Sequence, residues 1–364
     1  PKPSSAASDV YKRQVWRYDA DMSGAADFAS GWPTAPIPVL VPSAVEPRWR
    51  SPVGPLGVAA AWSRWLMFGT VVLAGAHFAG LPAITGPVAL VVAGLGFLAG
   101  VPHGAADHVM AARLSGGRSM VGIAAAYAAM AAAAWALLEW GGLPALIVVV
   151  ALSAVHFGLG ELEVCRQLTG WQPGRLIAIA VAVAGCGALV LPLARSGDQL
   201  TGVAAAISPG LAPLISGQPL EMTLAGMWLA AAVVAVIAAV WSGHLRVALD
   251  IVLVGALGML APPLVAFAAW FGGWHALRHC ARMLTVEPDC AALVSSGRNR
   301  AAVLRLIRLA ALPSVAALTT VLALGWITVT ASDPTVVVAE ILRLLLALTV
   351  PHMVVVWWLD RATG

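Results

Sequence analysis

The chain has 364 residues, of which 60% are hydrophobic and 10% are charged, and its mean hydropathy is +0.88. Soluble domains carry about 25% charged residues, so this composition excludes a water-soluble globular protein and predicts an all-α, polytopic transmembrane helical bundle. The net charge of +4 comes from arginines scattered between apolar stretches, which argues against a nucleic-acid partner.

The first 55 residues differ in composition from the remainder of the chain. They mix charges, serines and prolines, and they show no helical or strand periodicity. We therefore expect a disordered or loosely attached tail over 1–55 and a transmembrane domain over 56–364. The first 14 residues are so unlike the rest of the chain that we treat them as candidate non-native sequence and leave them out of the fold.

Apolar runs and the residues that interrupt them place the membrane spans. The expected spans are 59–80, 84–112, 119–140, 142–165, 175–195, 223–243, 246–261, 264–284, 307–330 and 337–359. The Pro262-Pro263 pair is either a turn between two spans or a break within one irregular helix, and the 196–222 connection has room for a surface helix. Because both points change the count, we expect about eight to ten spans.

The arginines indicate the orientation of these spans, because positive charge collects in cytoplasmic loops. With the N-terminus inside, most arginines fall on the cytoplasmic side, and Arg195 and Arg343 are the exceptions. The cytoplasmic set is Arg48, Arg50, Arg64, Arg113, Arg118, Arg166, Arg175, Arg246, the stretch from Arg282 to Arg308, and Arg361. We expect an integral protein of the bacterial inner membrane with both termini in the cytoplasm.

Five histidines lie inside apolar spans, where ionisable groups are costly and mark functional sites. They are His103 in GVPHGAADH, His156 in SAVHFGLGE, His275 and His279 in WFGGWHALRH, and His352 in TVPHMVVVW. On the expected map each lies somewhat past the midpoint of a span that runs from outside to inside. The five imidazoles should therefore meet at one depth and bind a metal ion, although hydrogen bonding between helices is the simpler alternative.

Helical spacing strengthens the metal hypothesis. His275 and His279 are four residues apart, so they share one helix face and can bind one ion together. His103 and Asp107 have the same spacing, and Asp107 either orients an imidazole or binds the metal itself. Neutral imidazoles suit Fe(II), zinc or copper.

Other polar and aromatic residues surround these motifs. Trp270, Phe271 and Trp274 precede the paired histidines and either line a substrate or pack between helices. Arg278 faces away from the two histidines beside it, so it either extends toward the cytoplasm or pairs with an acid such as Glu161. Isolated histidines such as His244 are expected to be structural.

The motifs PHGAADH, HFGLGE, WHALRH and VPHM, in this order and over roughly residues 90 to 360, resemble those of the Brp/Blh-type bacterial β-carotene 15,15′-dioxygenases. Members of that family are multi-span membrane proteins. They use a non-haem iron held by histidines to split β-carotene with O₂ at its central double bond, giving two molecules of all-trans-retinal. The resemblance makes residues 56–364 a transmembrane carotenoid-cleavage domain, with β-carotene and O₂ as substrates and the lipid bilayer as its surroundings.

The resemblance also assigns roles to individual residues. It implies that His103, His156, His275 and His279 bind Fe(2+) and carry the chemistry through the bound iron. His352 would line the site or position substrate. Glu161 stands where the family more often has aspartate after HFG, and its longer side chain would change how the surroundings of His156 hold that imidazole. A retinal product would link the chain functionally to a retinal-binding rhodopsin.

Two other functions stay open at this point. A membrane di-iron oxygenase, such as a desaturase or hydroxylase, would need more ligands, and this chain has eight histidines in all and no HxxHH motif. A non-enzymatic retinal-binding, haem-binding or transport protein is the other alternative. Transport pathways commonly use intramembrane acids, and only Asp107 and Glu161 lie near the histidines.

Overall fold

A computed structural model describes residues 54–363 apart from 81, 83, 117–118, 196–201, 203–204, 209, 211–212, 214–217 and 332–333. The tail expected over 1–55 lies outside this range except for its last two residues. Every regular element among the described residues is helical, and none is a strand. The expected all-α fold is therefore confirmed.

The helices of the first half of the chain flank two short 3₁₀ segments. In order they are α1 (Pro55–Gly75), the 3₁₀ segment Ala76–Ala79, α2 (Gly86–Gly100), the 3₁₀ segment Val101–Ala106, α3 (Asp107–Leu114), α4 (Met120–Trp140), α5 (Gly142–Thr169), α6 (Arg175–Gly185) and α7 (Gly187–Ala194).

The second half contains one π-helical segment. Its elements are α8 (Gln218–Trp241), α9 (Leu245–Leu260), α10 (Pro263–Trp270), the π-helix Phe271–Ala276, α11 (Leu277–Val286), α12 (Pro288–Ser295), α13 (Asn299–Ala331) and α14 (Pro334–Thr363).

Seven of these helical stretches are long and apolar enough to cross a membrane, or eight if the pair α6 and α7, bent by 57°, is one span. The chain is therefore an integral membrane protein. The expected 246–261 and 264–284 spans are not among the seven. Helix α9 has 16 residues, about 24 Å at 1.5 Å per residue, against a hydrocarbon core of about 30 Å.

The Pro262-Pro263 pair lies between two separate helices. Helix α9 ends at Leu260, Ala261 and Pro262 have extended backbone, and α10 begins at Pro263. This follows from the clash of each proline ring with the residue before it, which disfavours helical backbone there.

Helix α2 crosses the α10 and π-helical region at very close range, and glycines make this approach possible. A Cβ at Gly272 would lie 2.2 Å from the carbonyl oxygen of Gly96, and one at Gly96 would lie 2.5 Å from that of Ala268. Small residues allow such close packing between membrane helices. The crossing brings the PHGAADH and WHALRH segments to the same region.

The two arginines that fit the expected orientation poorly are held by contacts within the protein. Arg195 donates to the carbonyls of Gly258 and Ala261, at 2.8 and 3.1 Å, at the end of α9. The buried guanidinium of Arg343 pairs with Glu139 and Glu340, each at 2.6 Å. Neither arginine is a free loop charge, so neither counts strongly against the orientation.

Candidate metal centre

The histidines singled out from the sequence lie on five elements, two of which, the π-helix and α11, are contiguous. His103 is in the 3₁₀ segment between α2 and α3, and His156 is in the middle of α5. His275 is in the π-helix and His279 is in the first turns of α11, while His352 follows Pro351 within α14.

All five imidazole rings meet in one cluster. The ring centroid of His352 lies 4.6 Å from that of His103, 5.0 Å from that of His156 and 5.1 Å from that of His279. The His275 centroid lies 5.4 Å from that of His103 and 5.6 Å from that of His156. His279 is 5.6 Å from His103 and 6.3 Å from His275. His352, expected to line the site, is thus among the closest rings.

The tautomer of His103 follows from its contact with the backbone. Its Nδ1 lies 2.5 Å from the carbonyl oxygen of Gly100, and a carbonyl only accepts hydrogen bonds, so Nδ1 must carry the proton. Neutral His103 then has its lone pair on Nε2. A histidine that donates through one nitrogen and coordinates through the other is the usual arrangement at metal sites.

The other rings also have free nitrogens. The buried Nε2 atoms of His156, His275, His279 and His352 have no hydrogen-bond partner in the part of the chain that the structure describes. Buried polar atoms are nearly always paired, so four unpaired imidazole nitrogens in one cluster require an explanation. A bound metal ion would satisfy those nitrogens that coordinate it, and imidazole nitrogen is a ligand for iron, zinc and copper. The residues present therefore fit a metal ion.

Two groups within the cluster are compact enough to hold an ion directly. His103, His275 and His352 each offer one atom within 4.8 Å of the others, and so do Asp107, His279 and His352. His352 belongs to both groups, and His156, one of the four expected ligands, belongs to neither. A cavity of about 20 Å³ beside the cluster is lined by His156, His275 and His279 among others, and has room for about one water.

Asp107 lies beside His352, although the sequence suggested a link to His103. Its Oδ2 atom accepts a 2.7 Å hydrogen bond from Nδ1 of His352 and a 3.2 Å bond from the hydroxyl of Tyr127. The carboxylate is almost completely buried. Reasoning from the sequence missed Tyr127, although a tyrosine in an alanine-rich span was a signal that could have found it.

Glu161 pairs with Arg278, which was one of two alternatives for that arginine. Arg278 Nη1 lies 3.2 Å from Glu161 Oε2, and Nη2 lies 3.2 Å from Oδ2 of Asp250. The guanidinium also donates to the hydroxyl of Ser63 at 2.9 Å and lies 3.4 Å from the ring centroid of Trp274. Glu161 is therefore linked, through Arg278, to the helix that carries His279.

The aromatic residues before the paired histidines divide between two environments. Trp270 stacks against the ring of His275 at 5.4 Å, and Phe271 meets the ring of His103 edge-on at 5.2 Å. Phe157 contacts His275 from α5 at 4.8 Å. Trp274 lies under the Arg278 guanidinium instead. An apolar aromatic wall, formed by Phe157, Trp270 and Phe271, therefore flanks one side of the cluster.

Comparison with known proteins agrees with the motifs. Residues 94–360 match the model of the family described as beta-carotene 15,15′-dioxygenase. The chain is 30% identical over 319 residues to a Halobacterium salinarum protein named probable beta-carotene 15,15′-dioxygenase Blh, and the match covers 79% of this chain and 90% of that protein. No solved structure matches the chain at a comparable level. The chain therefore belongs to the β-carotene 15,15′-dioxygenase family, a family of oxygenases.

Proposed function

We propose that this protein is an Fe(II)-dependent dioxygenase that cleaves β-carotene with O₂ at the central 15,15′ double bond to give two molecules of all-trans-retinal. The observation that carries the proposal is the cluster of buried imidazoles with unpaired Nε2 atoms in a membrane protein of this family. The substrate class and the central bond come from the family, and the metal chemistry comes from the donor set.

His103, His156, His275 and His279 would hold the ion. Neutral histidines leave its +2 charge uncompensated, and four of them leave coordination positions for O₂. When bound, Fe(II) supplies the binding and activation of O₂ that cleavage of a carbon double bond requires. The contribution of the chain is to keep these imidazoles neutral, oriented and shielded from bulk water.

The aromatic wall would position the substrate. β-Carotene has many similar double bonds, so selection of the central one requires a surface that places the polyene in one register. Trp270 and Phe271 are buried beside His275 and His103, and aromatic surroundings suit a conjugated chain. Because β-carotene dissolves in the bilayer, we infer that it enters between helices from lipid rather than from water.

A single ion fits the cluster better than two. Five of the eight histidines of the chain lie in the cluster, and both compact donor groups share His352. A membrane di-iron site, the enzyme alternative considered from the sequence, would need two separate sets of ligands. Retinal made by the enzyme would then serve a retinal-binding rhodopsin, which is a functional link and implies no contact.

The test is expression in cells that accumulate β-carotene, with His275→Ala and His244→Ala as paired variants. We expect the parent and His244→Ala to consume β-carotene and form retinal, because His244 stacks on Trp171 away from the cluster. His275→Ala should reduce retinal formation by more than about 100-fold, since loss of a residue that only supports a metal ligand already costs about 10–100-fold. The variant should still insert in the membrane. Unchanged β-carotene in the parent, despite verified expression, would contradict the proposed reaction.

Metal exchange in the purified protein tests the identity of the ion. Chelation should abolish retinal formation, and Fe(II) should restore it while Zn(II), which has no redox chemistry, should not. One iron per chain is expected, and two would favour the di-iron alternative. A protein that binds retinal or haem but never consumes O₂ would instead favour the non-enzymatic alternative.

A further inference from the structure

His352 occupies a position that a residue merely lining the site would not need. Its ring centroid is within 5.1 Å of three other histidine rings, and its side chain belongs to both compact donor groups. The ring is almost completely buried, and its Nε2 has no hydrogen-bond partner in the described part of the chain.

The opposite side of the ring is fixed by Asp107. Nδ1 of His352 donates to the Asp107 carboxylate at 2.7 Å, and that carboxylate is held in turn by the Tyr127 hydroxyl. The backbone at Gly104 packs closely against this hydrogen bond. A Cβ at Gly104 would lie 3.3 Å from His352 Nδ1 and 3.4 Å from Asp107 Oδ2. With Nδ1 protonated, the lone pair of neutral His352 is on Nε2.

We propose that His352 is a ligand of the same metal ion through Nε2, and that Asp107, braced by Tyr127, is its positioning residue. This inference rests on the proposed function and adds a fifth histidine to its ligands. A carboxylate that accepts the second N–H of a coordinating imidazole fixes the tautomer and raises the basicity of the ligand.

The same contacts disfavour the other arrangement, in which Asp107 binds the ion and His352 only hydrogen-bonds to it. Oδ2 of Asp107 already accepts two hydrogen bonds, from His352 and Tyr127. A metal ion bound at Oδ2 would lie close to the Nδ1–H group of His352. The hydrogen of that group carries partial positive charge, so it would repel the ion. The arrangement would also leave Nε2 of His352 buried and unpaired, which is costly.

Co(II) binding to the purified full chain in detergent separates the two arrangements. Co(II) is the probe because its visible absorption reports the number and type of its ligands, so the readout is independent of turnover. The decisive variant is His352→Asn. The Asn amide N–H can replace Nδ1–H as a donor to Asp107, but it offers nothing at the position of Nε2.

We expect the parent and the control His244→Asn to bind one Co(II) with the same affinity and spectrum. His352→Asn should bind Co(II) at least about 100-fold more weakly and with a changed spectrum, since loss of a supporting residue alone costs about 10–100-fold. His352→Gly should bind poorly too, and added imidazole should restore both the affinity and the spectrum by filling the vacated space.

The inference is overturned if monodisperse His352→Asn keeps the parent affinity and spectrum, since His352 would then act only through its hydrogen bond. Failure of imidazole to restore binding to folded His352→Gly would also count against it. The proposed function is judged separately on the parent: a parent that makes retinal while His352→Asn binds Co(II) normally refutes only the fifth ligand. A parent that binds no Co(II) and makes no retinal refutes both.

Discussion

Arg278 shows how a single residue can organise the surroundings of the metal centre. It lies one position before His279, and its side chain is only 2% exposed. Two acids, one hydroxyl and one indole surround the guanidinium, so its charge is neutralised within the protein. A planar, always-charged guanidinium with several N–H donors suits this position better than a lysine would, because its nitrogens reach Glu161, Asp250 and Ser63 separately. Arg278 therefore fixes the helix that presents the paired histidines.

Replacing Arg278 with methionine should strongly destabilise the protein. Asp250 would keep its contacts with Arg64, at 2.5 and 2.9 Å, but Glu161 would lose its ion pair in a buried setting. Removing one partner of a buried pair costs about 3–5 kcal/mol, so the free energy of unfolding in detergent should fall by that order.

The matched control for Arg278→Met is Arg175→Met, which removes an exposed arginine at the start of α6. Its effect should be below about 0.5 kcal/mol, as is usual for surface substitutions. Equal effects of the two variants would show that the Arg278 contacts contribute little net stability.

At the scale of elements, the site depends on how closely α2 and the π-helical segment approach each other. A π-helical turn inserts an extra residue and is often found at functional sites. Here it ends immediately after His275, between helices α10 and α11. Glycines on both sides of the crossing allow the backbones to touch, and the crossing brings the ring of His103 within 5.4 Å of that of His275.

Adding one methyl group at this crossing should therefore disturb the site. In Gly272→Ala the new Cβ would lie 2.2 Å from a backbone oxygen that no side-chain movement can clear. The helices would have to separate, at a cost of about 1–3 kcal/mol, and His103 and His275 would move apart. Both the unfolding free energy and retinal formation should fall.

Gly94→Ala is the control for this substitution, because Gly94 is also on α2 and has nothing within 4 Å of an added Cβ. It should be neutral or slightly stabilising, since alanine favours helix by up to about 1 kcal/mol over glycine. A Gly272→Ala protein that behaves like Gly94→Ala would show that the close approach is not required.

At the scale of the whole molecule, ion pairs connect several helix ends into one layer. Arg113 at the end of α3 pairs with Glu287 at 2.5 Å, and Arg282 in α11 pairs with Asp360 near the end of α14. Glu287 also accepts from the Cys290 N–H and caps α12. These arginines belong to the set assigned to the cytoplasm from the sequence, so the contacts support our proposal that this layer is cytoplasmic.

Reporter fusions test the proposed orientation. Eight spans place the two termini on the same side of the membrane, whereas seven place them on opposite sides. We expect both termini in the cytoplasm of a bacterial inner membrane, so a C-terminal green fluorescent protein should fluoresce and a C-terminal alkaline phosphatase should be inactive. An active C-terminal phosphatase, with the N-terminus shown to be cytoplasmic, would require an odd number of spans.

The sequence by itself determined the membrane setting, the all-helical class, the family and the candidate histidines. These depend on local properties: apolar runs of sufficient length, and short motifs that are read without knowing how helices pack. The assignment of 1–55 as a tail is equally local and stays a prediction, as do the metal-binding roles of individual histidines. The Arg278 and Glu161 pair was foreseen only as one of two alternatives.

Only the tertiary structure decided which way the helices face. Membrane helices are apolar on nearly all sides, so they lack the polar and apolar stripes from which the orientation of soluble helices is predicted. The position of His352 among the other rings, its bond to Asp107 and the Tyr127 contact therefore could not be deduced from spacing. The same is true of the break after α9, where the sequence left two alternatives and backbone sterics at Pro262 and Pro263 separate the helices.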